Sequence, residues 1–196
     1  TRLFLCGTAP LPEDTFHAFN QRTGKEIIEW FGMSEAGTIT ANPLGSARAG
    51  SCGKPLPRVE IRITNNDGQI LSANQVGNIE VKSTRLFRGY LNDRQKTQLG
   101  YRPDGYFVTG DLGKIDTDGY LYIVGRAKDV VLVHGANVYP KEVELYMNPM
   151  DGIDESAVFG IPDPDSGEAV IAVVTREAGA KKRFERKILL HSIILC

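Results

Sequence analysis

The sequence predicts a mixed α/β fold in three zones, and changes of hydrophobic period along the chain separate the zones. The first zone alternates short apolar strands with a helix. From Val59 the period becomes two, with Val59, Ile61 and Ile63 separated by polar residues, which is typical of antiparallel strands. After Arg126 strands again accompany a helix. The chain is therefore predicted to open as α/β, continue as an antiparallel sheet or barrel, and end in a small α+β unit.

In the first zone the elements follow from apolar runs and from the residues that begin and end a helix. Residues 2–6 form a short apolar run that predicts a buried strand. A helix is predicted from near Pro12, because proline has no N–H to leave unpaired in a first turn, and two acidic residues follow it. Gly24 is predicted to end that helix. A second strand at 26–31 leads directly into a glycine-containing loop.

The middle and last zones are defined by turns as much as by strands. Residues 66–68, Asn-Asp-Gly, predict a turn after the first alternating strand, and 116–119 predict the turn of a later hairpin. In the last zone strands are predicted at 130–133, 157–161 and 169–175. A helix is predicted from Pro140, with an apolar face made by Val143, Met147 and Met150.

Composition excludes several classes of protein. The chain has 196 residues, 23 basic and 24 acidic, with a net charge of −1, so nothing indicates nucleic-acid binding or an anionic membrane partner. Its three cysteines include no Cys-x-x-Cys pair, which argues against a disulfide framework and for a reducing compartment. No apolar run is long enough to span a bilayer. The chain begins with Thr1, so we expect the natural amino terminus to lie elsewhere.

Three short motifs occur in order along the chain. They are Phe-Gly-Met-Ser-Glu at 31–35, Thr-Gly-Asp-Leu at 109–112, and Gly-Arg-Ala-Lys-Asp at 125–129, which continues into 135–144. In this order and spacing the set resembles the adenylate-forming (AMP-binding) acid–CoA ligases, which include acyl-CoA synthetases and the adenylation domains of peptide synthetases. Within that superfamily the similarity is greatest to malonyl-CoA synthetases, at 1–4, 7–12, 109–116, 137–142 and 155–158.

The resemblance implies a specific domain organisation. Residues 1–125 correspond to the end of the large adenylate-forming domain, with 58–125 as its antiparallel β-barrel subdomain. Residues 126–129 correspond to a hinge. Residues 130–196 correspond to a truncated small α+β domain, the C-terminal domain of AMP-binding enzymes, with an atypical tail at 181–196.

The resemblance also implies a site for ATP and Mg²⁺. Phe31 stacks on adenine, Ser34, in place of the usual threonine, binds a phosphate oxygen, and Glu35 ligates Mg²⁺, for which a carboxylate is a suitable ligand. Asp111 accepts hydrogen bonds from the ribose hydroxyls, as acidic residues do in other nucleotide sites. The alternatives are an ordinary turn with a solvated glutamate at 31–35 and a hairpin turn at 109–112. The complete set implied to bind nucleotide is Gly7, Thr8, Ala9, Pro10, Phe31, Gly32, Asp111 and Arg126.

Further roles are implied near the start of the last zone. Arg126 binds ribose and phosphate, and Ser34, Glu35, Arg126 and the hinge residue Lys128 make up the implied catalytic set. Gly135 lines the tunnel through which the thiol of CoA approaches. His134 stands where the family frequently has glycine, and we expect this bulky neighbour to narrow the tunnel.

By resemblance the protein is an acid–thiol ligase that joins a small carboxylic acid, malonate or methylmalonate, to CoA at the expense of ATP. We expect it in the cytoplasm, or in mitochondria if a transit peptide lies upstream. The family's phosphate loop and its C-terminal catalytic lysine have no counterpart in this sequence. Losing a positive charge at a transition state costs about 10²–10³ in rate, so we expect the chain alone to adenylate poorly or not at all. Two alternatives stay open: a non-catalytic nucleotide-binding relic or interaction module, and an amino-acid adenylation domain.

Overall fold

Three four-stranded sheets organise residues 2–176, the part of the chain that the computed structural model describes. Two of the sheets belong to one unit, Thr1–Ile123, except for the last three residues of one strand, 124–126, and the third sheet belongs to a second unit, Val124–Cys196. The boundary lies just ahead of the predicted hinge at 126–129. The predicted atypical tail at 181–196 lies outside the described residues.

The first sheet contains the α/β opening of the chain. Its strands, in spatial order, are β1 (Phe4–Cys6), β2 (Ile27–Met33), β3 (Gly37–Ala41) and β4 (Lys54–Pro55). β1 and β2 are parallel, and the connection between them contains helix α1 (Glu13–Thr23). The predicted end of this helix is confirmed: Gly24 adopts the left-handed conformation, with φ 66°, and its N–H donates to the carbonyl of Asn20 at 2.7 Å.

The second sheet is the predicted antiparallel region. It contains β5 (Val59–Thr64), β6 (Gly77–Ser83), β7 (Phe107–Ile115) and β8 (Leu121–Arg126), in that spatial order. A short helix, α2 (Arg94–Gly100), lies in the connection between β6 and β7. It was not predicted, because none of its residues is buried and it therefore shows no apolar stripe.

The two sheets of the first unit share one hydrophobic core. One cluster joins the turn after β2 to β3, β5, β6 and β7: Ala36, Ile39, Val59, Val81 and Phe107. A second cluster contains Cys52, Ile63, Ile79 and Leu121. Four of these side chains, Ile39, Ile79, Val81 and Leu121, are fully buried, and each is expected to contribute about 1.5–3 kcal/mol to folding.

The second unit is a small α+β structure. After a 3₁₀ turn at Ala127–Asp129 its elements are β9 (Val131–Val133), β10 (Ala136–Val138), α3 (Pro140–Met147), β11 (Ile153–Asp163) and β12 (Gly167–Arg176), and the sheet order is β10-β9-β12-β11. Val143 and Met147 of α3 are buried, as predicted. The prediction for Met150 is wrong: the helix ends at Met147, and Met150 lies beyond it, 41% exposed.

Candidate active site

The first motif lies where β2 turns into β3. Residues 34–36 form the turn, and the Ala36 N–H donates to the carbonyl of Met33 at 3.1 Å. A bulge falls between Phe31 and Gly32. A Cβ on Gly32 would collide with the carbonyl oxygen of Gly37, so this tight hairpin requires glycine at position 32. Glycine in the motif therefore has a structural cause as well as its proposed role.

The side chains of this motif differ in exposure. Phe31 is partly buried and packs against both core clusters of the first unit. Ser34 is exposed at the tip of the turn. Glu35 is half-buried, and its Oε1 accepts a hydrogen bond from the Tyr90 hydroxyl at 2.8 Å. Residues 31–35 therefore do lead into a turn, as in the first alternative, but Glu35 is hydrogen-bonded within the protein as well as partly solvated.

The Gly7–Pro10 segment reaches the same edge of the first sheet. It follows β1, and β1 runs parallel to β2, so the segment and the turn at Ser34 both follow the carboxyl ends of adjacent strands. Gly7 lies flat against the Trp30 indole: a Cβ on it would lie 2.6 Å from the indole nitrogen. Thr8 has φ 69°, and residues 8–10 are exposed. Two of the predicted nucleotide-binding segments thus follow the carboxyl ends of adjacent parallel strands, although β2 continues four residues, from Trp30 to Met33, beyond the end of β1.

The Thr-Gly-Asp motif forms a bulge inside β7. Asn78 of β6 pairs with Leu112 and Glu80 pairs with Val108, so residues 109–111 stand opposite the single residue between Asn78 and Glu80. Gly110 has φ 79°, a conformation that suits glycine. The second alternative, a hairpin turn, is wrong, because the motif lies within a strand.

Two polar side chains of this bulge are buried. Thr109 is 5% exposed and Asp111 is 7% exposed. The Thr109 hydroxyl donates to the carbonyl of Ile79 at 3.1 Å and accepts from the Asp111 N–H at 3.0 Å. Thr109 therefore satisfies backbone groups that the irregular pairing leaves without ladder partners, and it holds the backbone of Asp111 in place.

Two further buried titratable residues, Cys52 and Glu29, belong to the same unit as Asp111, and the charges of Glu29 and Asp111 both act on Cys52. The pKa of the Cys52 thiol is raised to about 12, chiefly by burial and also by the negative charges of Glu29 and Asp111. Glu29 itself is 7% exposed, and burial raises its pKa although the Leu11 N–H donates to it at 3.2 Å. Sequence reasoning missed Glu29. Its only signal was a single charged residue inside the apolar run of β2.

The remaining predicted residues belong to the second unit. Arg126 ends β8, Lys128 lies in the 3₁₀ turn at 127–129, and both are exposed. His134 and Gly135 are the two central residues of the turn between β9 and β10, with φ 49° and 82°. Positive φ at both positions is the pattern of a tight type I′ hairpin. The exposed Gly135 has open space where a side chain would begin.

Two kinds of feature are absent from residues 2–176, the part of the chain that the structure describes. No cluster of three or more histidine, cysteine, aspartate or glutamate side chains there could hold a metal ion. None of the helices described is long and apolar enough to cross a membrane.

Comparison with known proteins identifies both parts of the chain. Residues 1–91 match the family model of the AMP-binding enzymes, and residues 142–192 match that of the AMP-binding enzyme C-terminal domain. The second match extends into the segment at 181–196. The chain is 41% identical over 186 residues to a malonate–CoA ligase of Arabidopsis thaliana, covering 94% of this chain and 30% of that protein. It is 37% identical to a long-chain-fatty-acid–CoA ligase of Bacillus subtilis, covering 90% of this chain and 32% of that protein.

Solved structures agree with this assignment. The ATP-bound MatB of Rhodopseudomonas palustris is 46% identical and superposes with a TM-score of 0.89, over 93% of this chain and 37% of that one. The amide bond synthetase McbA of Marinactinospora thermotolerans is 34% identical with a TM-score of 0.83, over 93% of this chain and 38% of that one. The chain spans about a third of the length of the relatives that it matches.

Proposed function

The chain belongs to the AMP-binding enzyme family, and from that premise we propose that the protein is an ATP-dependent carboxylate–CoA ligase. A carboxylate does not react with a thiol, because its oxygen is a poor leaving group. Transfer of AMP from ATP gives an acyl-AMP and releases pyrophosphate. The thiol of CoA then attacks the acyl carbon and displaces AMP, giving the thioester.

The observation that carries this proposal is that two predicted segments follow the carboxyl ends of adjacent parallel strands in the first sheet. Gly7–Pro10 and the turn at Ser34 follow adjacent parallel strands. Ligands of α/β sheets commonly bind beyond the carboxyl ends of the strands. In the proposed site the adenine lies against Phe31 and the Gly7–Pro10 backbone, and the Ser34 hydroxyl donates to a phosphate oxygen.

The bulge in β7 supports a role in binding ribose. A bulge redirects the side chains beside it. Here the Asp111 N–H donates to the Thr109 hydroxyl, and this hydrogen bond holds the backbone of Asp111 in place. The proposed partners of the Asp111 carboxylate are the two ribose hydroxyls. Hydrogen bonds to a charged acceptor contribute about 1.5–3 kcal/mol each, enough to make Asp111 a principal determinant of nucleotide affinity.

Glu35 fits the metal that this chemistry uses. Mg²⁺ is usually held by one or two carboxylates together with waters and substrate phosphates, rather than by a cage of protein ligands. The half-buried Glu35 provides one carboxylate beside the proposed phosphate position. When bound there, Mg²⁺ would offset the negative charge of the phosphates. The protein's contribution is to hold this carboxylate in one orientation.

For the second unit we propose the roles that the family resemblance implies. Arg126 binds nucleotide oxygens, and its planar guanidinium suits ribose and phosphate. Lys128 lies in a short turn of the kind that absorbs backbone rotation at a hinge. Gly135 lies in a two-residue turn and leaves room for the pantetheine arm of CoA.

The acid that we propose is malonate or methylmalonate, and the proposed compartment is the cytoplasm. Similarity to a malonate–CoA ligase and to MatB supports the acid. Relatives of comparable identity include long-chain-fatty-acid and sulfoacetate CoA ligases. The test is the acid-dependent release of pyrophosphate with malonate, methylmalonate, acetate and palmitate, measured on the full-length protein because the chain alone is expected to adenylate poorly. Greatest release with palmitate would contradict the proposed acid.

Nucleotide binding is tested by Asp111→Asn. We expect the affinity of the chain for AMP, measured by calorimetric titration, to fall about tenfold to a hundredfold, because a neutral amide accepts weaker hydrogen bonds than a carboxylate. The matched control is Asp67→Asn, which changes an exposed aspartate in a turn and should leave affinity unchanged. Equal AMP affinities of wild type and a folded Asp111→Asn variant would refute the ribose role.

A further inference from the structure

A single segment before α2 holds both the backbone and the side chain of Glu35. The Phe87 N–H donates to the carbonyl oxygen of Glu35 at 2.7 Å. The Tyr90 hydroxyl donates to Oε1 of the same residue at 2.8 Å. The turn that carries the proposed metal ligand is therefore fixed at two points, by Phe87 and by Tyr90, which lies 55 positions away along the chain.

Tyr90 is itself held in place from several sides. Its N–H donates to the Thr97 hydroxyl at 2.9 Å, and its ring meets the Phe87 ring edge to face, with centroids 4.8 Å apart. The Lys96 ammonium lies 4.5 Å from the centre of the Tyr90 ring. Because the backbone, the ring face and the ring edge are all constrained, the hydroxyl points to Glu35 from a defined position.

A phenol suits this position chemically. An arginine or lysine there would form an ion pair and cancel much of the Glu35 charge, whereas a neutral hydroxyl orients the carboxylate and leaves its charge available to a cation. Among residues 2–176, no lysine or arginine forms an ion pair with Glu35.

We propose that Tyr90 is a positioning residue for Glu35, orienting its carboxylate toward the Mg²⁺ of a bound Mg·ATP; this inference rests on the metal role that the proposed function gives to Glu35. Tyr90 does not touch the nucleotide. It selects one orientation of the carboxylate before the metal arrives, and that reduces the conformational cost of binding.

The test is Tyr90→Phe, which removes the hydroxyl and keeps the ring packing. The control is Tyr106→Phe, because Tyr106 makes the same kind of bond, from its hydroxyl to Glu60 at 2.9 Å. Affinities of the chain for AMP without metal, and for ATP at several Mg²⁺ concentrations, are measured by calorimetric titration. We expect Tyr90→Phe to weaken Mg·ATP binding about tenfold, the loss of one hydrogen bond to a charged group, with AMP affinity unchanged. Tyr106→Phe should change neither.

Three results would overturn the inference, and they differ from one another. If wild type depends on Mg²⁺ and Tyr90→Phe binds Mg·ATP equally well, Tyr90 does not position Glu35. If the variant loses AMP and Mg·ATP affinity in the same proportion, Tyr90 has only a structural role. If ATP affinity of the wild type does not depend on Mg²⁺ at all, the metal role of Glu35 in the proposed function fails, and the inference fails with it.

Discussion

Replacing Glu80 by glutamine should destabilise the first unit substantially. Glu80 is fully buried in β6, and three groups donate to its carboxylate: Arg102 Nε at 2.6 Å, Arg62 Nε at 2.7 Å and the Thr64 hydroxyl at 2.9 Å. Burial raises the pKa of Glu80, but these hydrogen bonds outweigh burial, so the net shift is downward. Glu80→Gln keeps the shape, removes the charge and turns an N–H₂ group toward a guanidinium.

The expected loss of stability follows from the two arginines, Arg62 and Arg102, that pair with Glu80. Breaking a buried ion pair by neutralising one member costs about 3–5 kcal/mol. Here the side chains of the two arginines are 16% and 31% exposed, and Arg62 keeps its second partner, Asp104. Water and Asp104 therefore partly compensate both cations. We expect a loss near the lower limit of that range, about 3 kcal/mol in the free energy of unfolding.

Urea unfolding at several pH values measures this loss. Because the pKa of Glu80 is lower in the folded state, its contribution is present above the unfolded-state value of about 4.3 and disappears as pH falls through the folded-state value. The difference between wild type and Glu80→Gln should therefore shrink in acid. Glu60→Gln, at an exposed position of β5, is the control and should change stability by less than about 0.5 kcal/mol. A difference below about 1 kcal/mol at pH 7, or one that does not shrink in acid, would refute this reasoning.

Three further substitutions test other parts of the first and second units. Burial raises the pKa of Glu29, so above the unfolded-state pKa its ionisation destabilises the folded state. The free energy of unfolding of Glu29→Gln, measured with urea, should therefore rise relative to that of wild type between pH 4 and pH 8. A difference that stays constant over this range would contradict the reasoning. Gly32→Ala should reduce stability by about 1–3 kcal/mol, because the new Cβ would collide with the Gly37 carbonyl. The control Gly125→Ala, where the space is open, should reduce stability by less than about 1 kcal/mol. Equal losses in thermal unfolding would refute the steric explanation. His134→Asn should raise the thermal midpoint, because asparagine tolerates φ 49° better than histidine, and an unchanged or lower midpoint would argue against strain there.

Local signals predicted the elements whose causes are local. Helix α1 was predicted because a proline, two acidic residues and Gly24 mark its ends within its own sequence. β5 was predicted because one face is buried and the other is not, which produces strict alternation. β10 was missed because it has only three residues and its turn begins with histidine, which is not among the usual signals of a two-residue hairpin.

The sequence by itself determined the family, the candidate residues and the order of the zones, because motifs and hydrophobic periods are properties of neighbouring positions. Only the tertiary structure decided how those residues are held. The bulge at Thr109–Asp111 depends on pairing with β6, the orientation of Glu35 depends on Tyr90, and the charge of Glu80 is balanced by arginines from two other segments. Such contacts join residues distant along the chain, and neither propensity nor periodicity records which distant side chain will arrive at a given site.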